Sequence, residues 1–259
     1  MSIFVEKSKV TKEIGKINLI NGQKYNPLSL SVLKSITKEI TLLSEEKEVK
    51  VIIISSNGPG FSAGHDLEEL KKNRNNKAFF LKLFSKCSEL MQKILAIPQP
   101  VIAEVPGMAA AAGCQLVATC DLAIASEKAT FMTPGVNIGL FCSTPMVAVS
   151  RNISRKKMME MLLTGESLSA TDAVNFGLVN KCVKHEFLEK TTLDMASLIA
   201  SKPKSTVRIG KKAFYNQIEL PTNKAYEYTS KVMALNMMEK DANEGIEAFV
   251  NKRDPHWFS

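Results

Sequence analysis

Three short, mainly apolar runs constrain this chain more than any other feature of its sequence. They are KVIIIS (50–55), PVIAEV (100–105) and DLAIAS (121–126). Continuous apolar runs of this length are typical of strands buried on both faces of a parallel sheet. Between them, apolar residues recur at helical spacing from Leu30 to Leu43 and again over 77–96. The alternation of strands and helices predicts an α/β fold with a mostly parallel sheet.

The ends of the chain extend this pattern. We expect a first strand over Val10 to Ile20, ended by the Asn21-Gly22 turn. After Thr144-Pro145, an N-cap and first helical residue, the chain reads as mainly helical, with one further strand near 178–183. No repeat, low-complexity tract or linker divides the 259 residues, so we expect a single body.

The net charge of +8 permits an acidic partner but does not specify one. Its basic clusters, at 71–77, 151–157 and 204–212, are separated by apolar segments. No zinc-finger spacing, recognition-helix pattern or aromatic RNA-binding motif accompanies them. Binding of nucleic acid therefore stays a minor alternative.

The five cysteines are odd in number and scattered, which indicates reduced thiols rather than a disulfide framework. No CxxC or HExxH spacing points to a metal. The opening MSIFVEKSKV resembles neither a secretory signal nor a transit peptide, and the alanine stretch is too short to span a bilayer. We expect a protein of the cytoplasm, or of the mitochondrial matrix in a eukaryote, with no membrane partner.

Two loops follow buried strands and are rich in small residues: GPGFSAGHD (58–66) and EVPGMAAAAGCQ (104–115). Small side chains let a backbone approach a ligand closely. A helix that begins inside the alanine run would also leave its first N–H groups unpaired. N–H groups converging from both loops would form an oxyanion hole. The alternative is that the alanines only allow close packing of a helix.

Four segments in order give the chain a family resemblance. FSAGHDLEE, the stretch from PQPVIAEVPG to DLAIAS, TGESLSATDAVNFGLVNKCV and EGIEAFVNKR resemble the enoyl-CoA hydratase/isomerase, or crotonase, superfamily, collinearly from about residue 10 to 253. The resemblance implies a crotonase-like ββα spiral core over 1–200. It also implies a helical C-terminal region over 201–259 that forms trimers, often as a dimer of trimers.

The resemblance further implies an acyl-CoA thioester as the partner, with coenzyme A as part of the substrate and no separate cofactor. Its carbonyl oxygen would be held by the backbone N–H groups of His65 and Ala112. The positions expected to contact coenzyme A are Lys24, Ala63, His65 and Leu67, and Lys252, which would reach the 3′-phosphate across a subunit boundary.

Both carboxylates that the family uses for hydration are missing. Their positions are taken by Gln115 and Gly135. An amide cannot give or take a proton near neutral pH, so efficient hydratase chemistry by the usual route is not expected. Hydration would require both Gln115→Glu and Gly135→Glu.

Two other side chains are candidates to replace the carboxylates. His65 titrates near neutrality, although its ring could equally pack against the neighbouring loop. Cys142 precedes a helix start, where the helix dipole would lower its pKa, although a buried structural thiol is the alternative. Asp66 is expected to cap a helix, and Asp121 to begin a strand.

Taken together, these features favour an enzyme of the hydratase/isomerase type, in the lyase or isomerase class, with non-standard catalytic residues. The alternatives are a non-catalytic acyl-CoA binder or a thioesterase-type activity that uses His65 or Cys142.

Overall fold

The strands of this computed structural model, which describes residues 4–259, form two sheets. The strands are β1 (Val5–Lys9), β2 (Ile14–Leu19), β3 (Val51–Ser56), β4 (Gly60–Ser62), β5 (Val101–Val105), β6 (Met108–Ala110), β7 (Leu122–Ser126), β8 (Thr130–Met132), β9 (Ser167–Ser169) and β10 (Lys181–Val183). The larger sheet has the order β1-β2-β3-β5-β7-β10, and the smaller has the order β4-β6-β8-β9.

Helices cover these sheets and make up most of the C-terminal third. They are α1 (Leu30–Glu45), α2 (Leu67–Lys72), α3 (Lys77–Ala96), α4 (Ala112–Thr119), α5 (Pro145–Val149), α6 (Arg155–Thr164), α7 (Ala170–Asn175), α8 (Leu188–Ala200), α9 (Lys204–Gln217), α10 (Thr222–Met237) and α11 (Lys240–Val250). The helix predicted over 77–96 is confirmed at both ends. No helix within residues 4–259 is long and apolar enough to cross a membrane.

The larger sheet is parallel apart from one pair, as the sequence predicts. β3 pairs in parallel with β2 and β5, and β1 pairs antiparallel with β2. Alternate residues of β3 enter different hydrophobic clusters: Ile52 and Ile54 face one, while Val51 and Ile53 face the other. The unbroken β-branched run follows from this burial on both faces.

The strand predicted over Val10 to Ile20 is wrong at its start. The chain turns there instead, and the Val10 N–H donates to the Ile14 carbonyl oxygen at 3.0 Å. Thr11 Oγ1 stabilises the turn by accepting from the Ile14 N–H. β1 is an edge strand, and only its first residue, Val5, is buried. Its polar sequence has no apolar pattern from which a strand could be predicted.

The smaller sheet brings the two loops of interest together. β4 lies within the segment that the sequence predicts as loop, and it pairs in parallel with β6 at the start of the alanine run. Each strand of this sheet has three residues. The pairing places the segment after Ser62 beside the segment after Ala110, where the family resemblance expects the oxyanion hole.

The last four helices differ in how they pack. α8 lies against the larger sheet, and the buried residues Leu188, Ala196 and Ala200 share a cluster with Ile53. Helices α9, α10 and α11 pack on one another and have large apolar side chains on their outer surface. The division into a core over 1–200 and a helical region over 201–259 stays a prediction.

Candidate functional site

The alanine run changes from strand to helix at one strained residue. Ala111 has φ 48° and ψ −117°, a conformation that residues with a side chain rarely adopt. Its N–H donates to the Met132 carbonyl oxygen at 3.0 Å, which keeps it in the smaller sheet. Helix α4 begins at the next residue, so the expectation of a helix starting inside the alanine run is confirmed. The Ala112 N–H has no hydrogen-bond acceptor within residues 4–259.

Gly64 lies directly against this turn. It has φ +88°, and a Cβ added to it would lie 2.9 Å from the Ala110 carbonyl oxygen and 3.1 Å from the Ala112 nitrogen. A Cβ at Gly113 would likewise overlap the Ser62 carbonyl oxygen. Small residues are therefore required for the two loops to pack together, and the same contact places the backbone around residue 64 beside the unpaired Ala112 N–H.

Hydrogen bonds to the segment before α1 fix the first loop. The Leu28 N–H donates to the Gly64 carbonyl oxygen at 2.7 Å, and the Ala63 N–H donates to the Tyr25 carbonyl oxygen at 2.8 Å. Asp66 caps α2 as expected, since its carboxylate accepts from the Glu68 and Glu69 N–H groups. The His65 N–H between these anchors has no acceptor in the described part of the chain. The His65 N–H is therefore available as a backbone donor in this loop.

The His65 side chain packs beside the loop. Its Nδ1 lies 3.1 Å from the Leu28 carbonyl oxygen, and its ring meets the Phe84 ring edge-on at 5.3 Å between centroids. The Nε2 atom is enclosed and has no hydrogen-bond partner among residues 4–259. Burial lowers the pKa of the imidazole, so the ring is neutral near pH 7. This placement corresponds to the packing alternative, and it leaves the backbone N–H as the group of His65 that could meet a ligand.

Gln115 follows Ala112 by three residues on α4 and is 4% exposed. Its Oε1 lies 3.8 Å from Sγ of Cys87, a buried residue of α3. Burial raises the pKa of Cys87 to about 12, so this residue is a neutral thiol that donates weakly. The Gln115 side chain can neither give nor take a proton near neutral pH, because it is an amide.

Gly135 and Cys142 meet in the loop where the family resemblance expects the second carboxylate. A Cβ at Gly135 would lie 2.9 Å from the Leu140 carbonyl oxygen and 3.0 Å from Cys142 Sγ. Cys142 therefore fills the space that a side chain at residue 135 would need. A glutamate at residue 135 would therefore require the Leu140 carbonyl group and the Cys142 sulfur to move.

The expectation that the helix dipole lowers the pKa of Cys142 is wrong. Burial raises this pKa, and the hydrogen bond from the Gly135 backbone only partly offsets that effect. The helix that follows, α5, has only five residues, and the Thr144 side chain makes no capping hydrogen bond. A short helix supplies a weak dipole, so burial decides the direction.

The residues expected to contact coenzyme A are exposed, apart from His65. Lys24 Nζ lies 3.8 Å from Glu68 Oε2, which draws Lys24 to the start of α2 near Ala63 and Leu67. The structure thus brings Lys24, Ala63 and Leu67 to the loop that carries the His65 N–H. Lys252 is exposed just after α11, at φ 54°, and it has no contact with this group within the described chain.

Asp121 lies outside the site and is part of a structural network. Its carboxylate accepts from the Val101 N–H and from Lys211 Nζ, each at 2.7 Å, and from the Tyr215 hydroxyl at 2.8 Å. The remaining histidines, His185 and His256, are exposed. Three residues that the sequence did not single out shape the site: Gly64, Cys87 and Ala111. Gly64 and Ala111 each lie in a small-residue loop of the sequence, whereas Cys87 carried no signal.

Comparison with known proteins identifies the family of this chain. The model of the family described as enoyl-CoA hydratase/isomerase matches residues 9–259. Over 244 residues the chain is 48% identical to the human protein named enoyl-CoA hydratase domain-containing protein 3, mitochondrial, covering 94% of this chain and 80% of the human one. The FSAGHD form of the first loop resembles that group within the family, and this resemblance is confirmed.

Solved structures give the same result for the fold. A crystal structure of an enoyl-CoA hydratase from Mycobacterium smegmatis superimposes with a TM-score of 0.97 at 41% identity, covering 100% of both chains. The crystal structure of human enoyl-coenzyme A hydratase domain-containing protein 3 superimposes with a TM-score of 0.95 at 45% identity, covering 98% of this chain and 100% of that one. The crotonase-like fold expected from the sequence is confirmed. The chain belongs to the enoyl-CoA hydratase/isomerase family.

Proposed function

We propose that this chain binds an acyl-CoA thioester and holds its carbonyl oxygen with the backbone N–H groups of His65 and Ala112. The observation that carries the proposal is that neither N–H group has an acceptor among residues 4–259, while Gly64 packs against the Ala112 nitrogen. Unpaired backbone donors at a strained turn are costly to keep unless a ligand uses them. We take an acyl-CoA thioester as that ligand because the chain belongs to the enoyl-CoA hydratase/isomerase family.

Two fixed donors would stabilise negative charge on the thioester oxygen. Such charge develops when a proton leaves the carbon next to the carbonyl or when a nucleophile adds to the carbonyl. The N-terminus of α4 adds partial positive charge at the same place. The proposed site can therefore polarise a thioester without any acidic side chain.

Hydration by two carboxylates is not part of this proposal. Gln115 cannot act as a base, and residue 135 has no room for a glutamate while Cys142 and the Leu140 carbonyl keep their positions. We infer a hydratase/isomerase-like protein of the lyase or isomerase class whose hydratase activity is weak or altered.

Binding without turnover is the second candidate, and a specific observation favours it. Neither side chain offered as a replacement base is poised for proton transfer, because His65 Nε2 is enclosed and burial raises the Cys142 pKa. The same facts count against thioesterase chemistry through His65 or Cys142. Appreciable turnover of any enoyl-CoA, abolished by His65→Ala or Cys142→Ala, would exclude this candidate.

The five scattered cysteines indicate a reducing compartment. We propose the cytoplasm, or the mitochondrial matrix if the source is eukaryotic. The word mitochondrial in the name of the human relative supports the second location.

Calorimetric titration with butyryl-CoA tests the proposed oxyanion hole. Gly64→Ala places a methyl group 3.1 Å from the Ala112 nitrogen, so we expect binding at least tenfold weaker. Gly139→Ala is the matched control, because Gly139 also has a positive φ, of 75°, but a Cβ there meets nothing within 4 Å. Equal affinities for the two variants would contradict the proposal.

A further inference from the structure

The side-chain amide of Gln115, in which only the oxygen has a hydrogen-bond partner among residues 4–259, points to a substrate class for the proposed thioester site. Gln115 is buried, and its Oε1 contacts the thiol of Cys87. The amide nitrogen, in contrast, donates no hydrogen bond to residues 4–259. It is also not one of the fully enclosed unpaired polar atoms in that range, so part of its surface faces accessible space. A buried glutamine with its acceptor engaged presents donors alone to that space.

Helix geometry relates these donors to the reacting carbons. Ala112 is the first residue of α4, and Gln115 follows on the same face three residues later. Side chains on a helix tilt toward its N-terminus, so the Gln115 amide extends back over the turn that carries the Ala112 N–H. An acyl group whose carbonyl oxygen is bound at Ala112 would place its next carbons beside the Gln115 amide.

We propose that Gln115 recognises a hydrogen-bond acceptor at the third carbon of the acyl chain and selects 3-oxoacyl-CoA over the unsubstituted thioester. A ketone oxygen only accepts hydrogen bonds, which matches the N–H groups of an amide. A glutamate at residue 115 would offer only acceptors when ionised, and it would leave a ketone oxygen unpaired. The inference rests on the proposed function, because it uses the same carbonyl site.

Cys87 is a positioning residue in this account. Its thiol, on α3, meets the Gln115 oxygen and so sets which end of the amide faces the ligand. A hydroxyl at residue 87 would keep this donor, whereas a methyl group would remove it. Cys87→Ser should therefore keep the ligand preference that Cys87→Ala weakens.

The test compares the affinities of butyryl-CoA and 3-oxobutyryl-CoA, which have the same number of acyl carbons, by calorimetry. We expect the full chain to bind the 3-oxo ester about threefold to tenfold more tightly, the range for one neutral hydrogen bond. Gln115→Met keeps the volume but removes the N–H groups, so the ratio should fall to about one. Because a ratio is compared, a general loss of affinity cancels.

Further variants keep the test decisive. If Gln115→Met does not fold, Gln115→Glu should reduce the preference instead, and the Cys87→Ala and Cys87→Ser pair gives an independent reading. Equal binding of both esters by the full chain would overturn the inference, as would a preference that survives Gln115→Met or Gln115→Glu. Binding of neither ester would instead contradict the proposed function.

Discussion

At the scale of single residues, the proposed site depends on a backbone conformation that the sequence does not indicate. Ala111 adopts φ 48° so that the strand before it and the helix after it meet at a sharp turn. The turn leaves the Ala112 N–H without an acceptor in the described part of the chain, and Gly64 completes the contact from the other loop. The free donor is thus maintained by strain that the rest of the fold must offset.

Relieving that strain should stabilise the protein. We expect Ala111→Gly to raise the free energy of unfolding by about 1 kcal/mol, because glycine adopts positive φ without steric cost. Urea unfolding at fixed protein concentration measures the change. Ala110→Gly is the control, since that buried residue of β6 should lose stability on the same substitution. A loss of stability in Ala111→Gly would contradict the strain assignment.

The contact between Gly135 and Cys142 makes a second prediction. Gly135→Ala should destabilise the protein by about 1–3 kcal/mol, because the new Cβ would lie 3.0 Å from the sulfur and 2.9 Å from the Leu140 carbonyl oxygen. In a Cys142→Ala background the cost should fall by at least about 0.5 kcal/mol. Gly210→Ala, where a Cβ meets nothing within 4 Å, controls for the loss of glycine. Additive effects of the two substitutions would show that the sulfur is not the obstacle.

Sequence reasoning could name candidate site residues but not their spatial relations. The missing carboxylates at 115 and 135 could be identified from sequence position alone. The crowding of Gly135 by Cys142 could not, because it depends on how a loop folds back over seven residues. The direction of the Cys142 pKa was wrong for the same reason, since burial of that loop outweighs the dipole of a five-residue helix.

At the scale of elements, the length of each element decided what could be predicted. The helix over 77–96 and strands β3, β5 and β7 are long enough to show periodicity, and the sequence predicts each of them within one or two residues. The strands of the smaller sheet have only three residues each and show no period. They nevertheless place the two loops of the site side by side.

The C-terminal segment after α11 folds back over the helices as a strap (residues 251–259). The Glu244 carboxylate binds Arg253 through two hydrogen bonds and accepts from the His256 N–H. The indole of Trp257 donates to the Ser201 carbonyl oxygen at 3.0 Å. Trp257 is the only tryptophan of the chain, so its emission reports on the strap.

Acid should release this strap. The hydrogen bonds from Arg253 lower the pKa of Glu244 from its ordinary 4.5 to about 2. A carboxyl group with a lowered pKa stabilises the folded state fully above its ordinary value, and this contribution is lost as the pH falls toward the lowered one. We therefore expect Trp257 emission to change between about pH 4.5 and 2. Glu244→Gln should reduce this transition to the part that Asp241 contributes through the Phe258 N–H, whereas Glu247→Gln on the same helix should retain it in full. An unchanged transition in Glu244→Gln would refute the assignment.

At the scale of the whole molecule, the outer surface of the C-terminal helices is strongly apolar. Leu235, Met238 and Phe249 are 70%, 80% and 86% exposed. Apolar side chains this exposed and this close in sequence mark an interaction surface. We expect them to be covered by copies of this chain, as a trimer or a dimer of trimers.

Sedimentation velocity tests that expectation. The full chain should sediment with the mass of three or six copies, and Phe249→Lys should lower the mass toward one copy, because burying a charge in an apolar interface is costly. Leu81→Lys on α3 is the control, since Leu81 is 62% exposed but lies outside these helices. A monomeric full chain would contradict the expectation.

The central claim, that two backbone N–H groups hold a thioester carbonyl oxygen, is tested most directly by isotope-edited infrared spectroscopy of bound butyryl-CoA labelled with ¹³C at the carbonyl. Hydrogen bonds from His65 and Ala112 should shift the carbonyl stretch to lower frequency than in water. The shift should persist in Gly139→Ala and be lost in Gly64→Ala. A carbonyl frequency that is the same for the bound and the free ester would contradict the account.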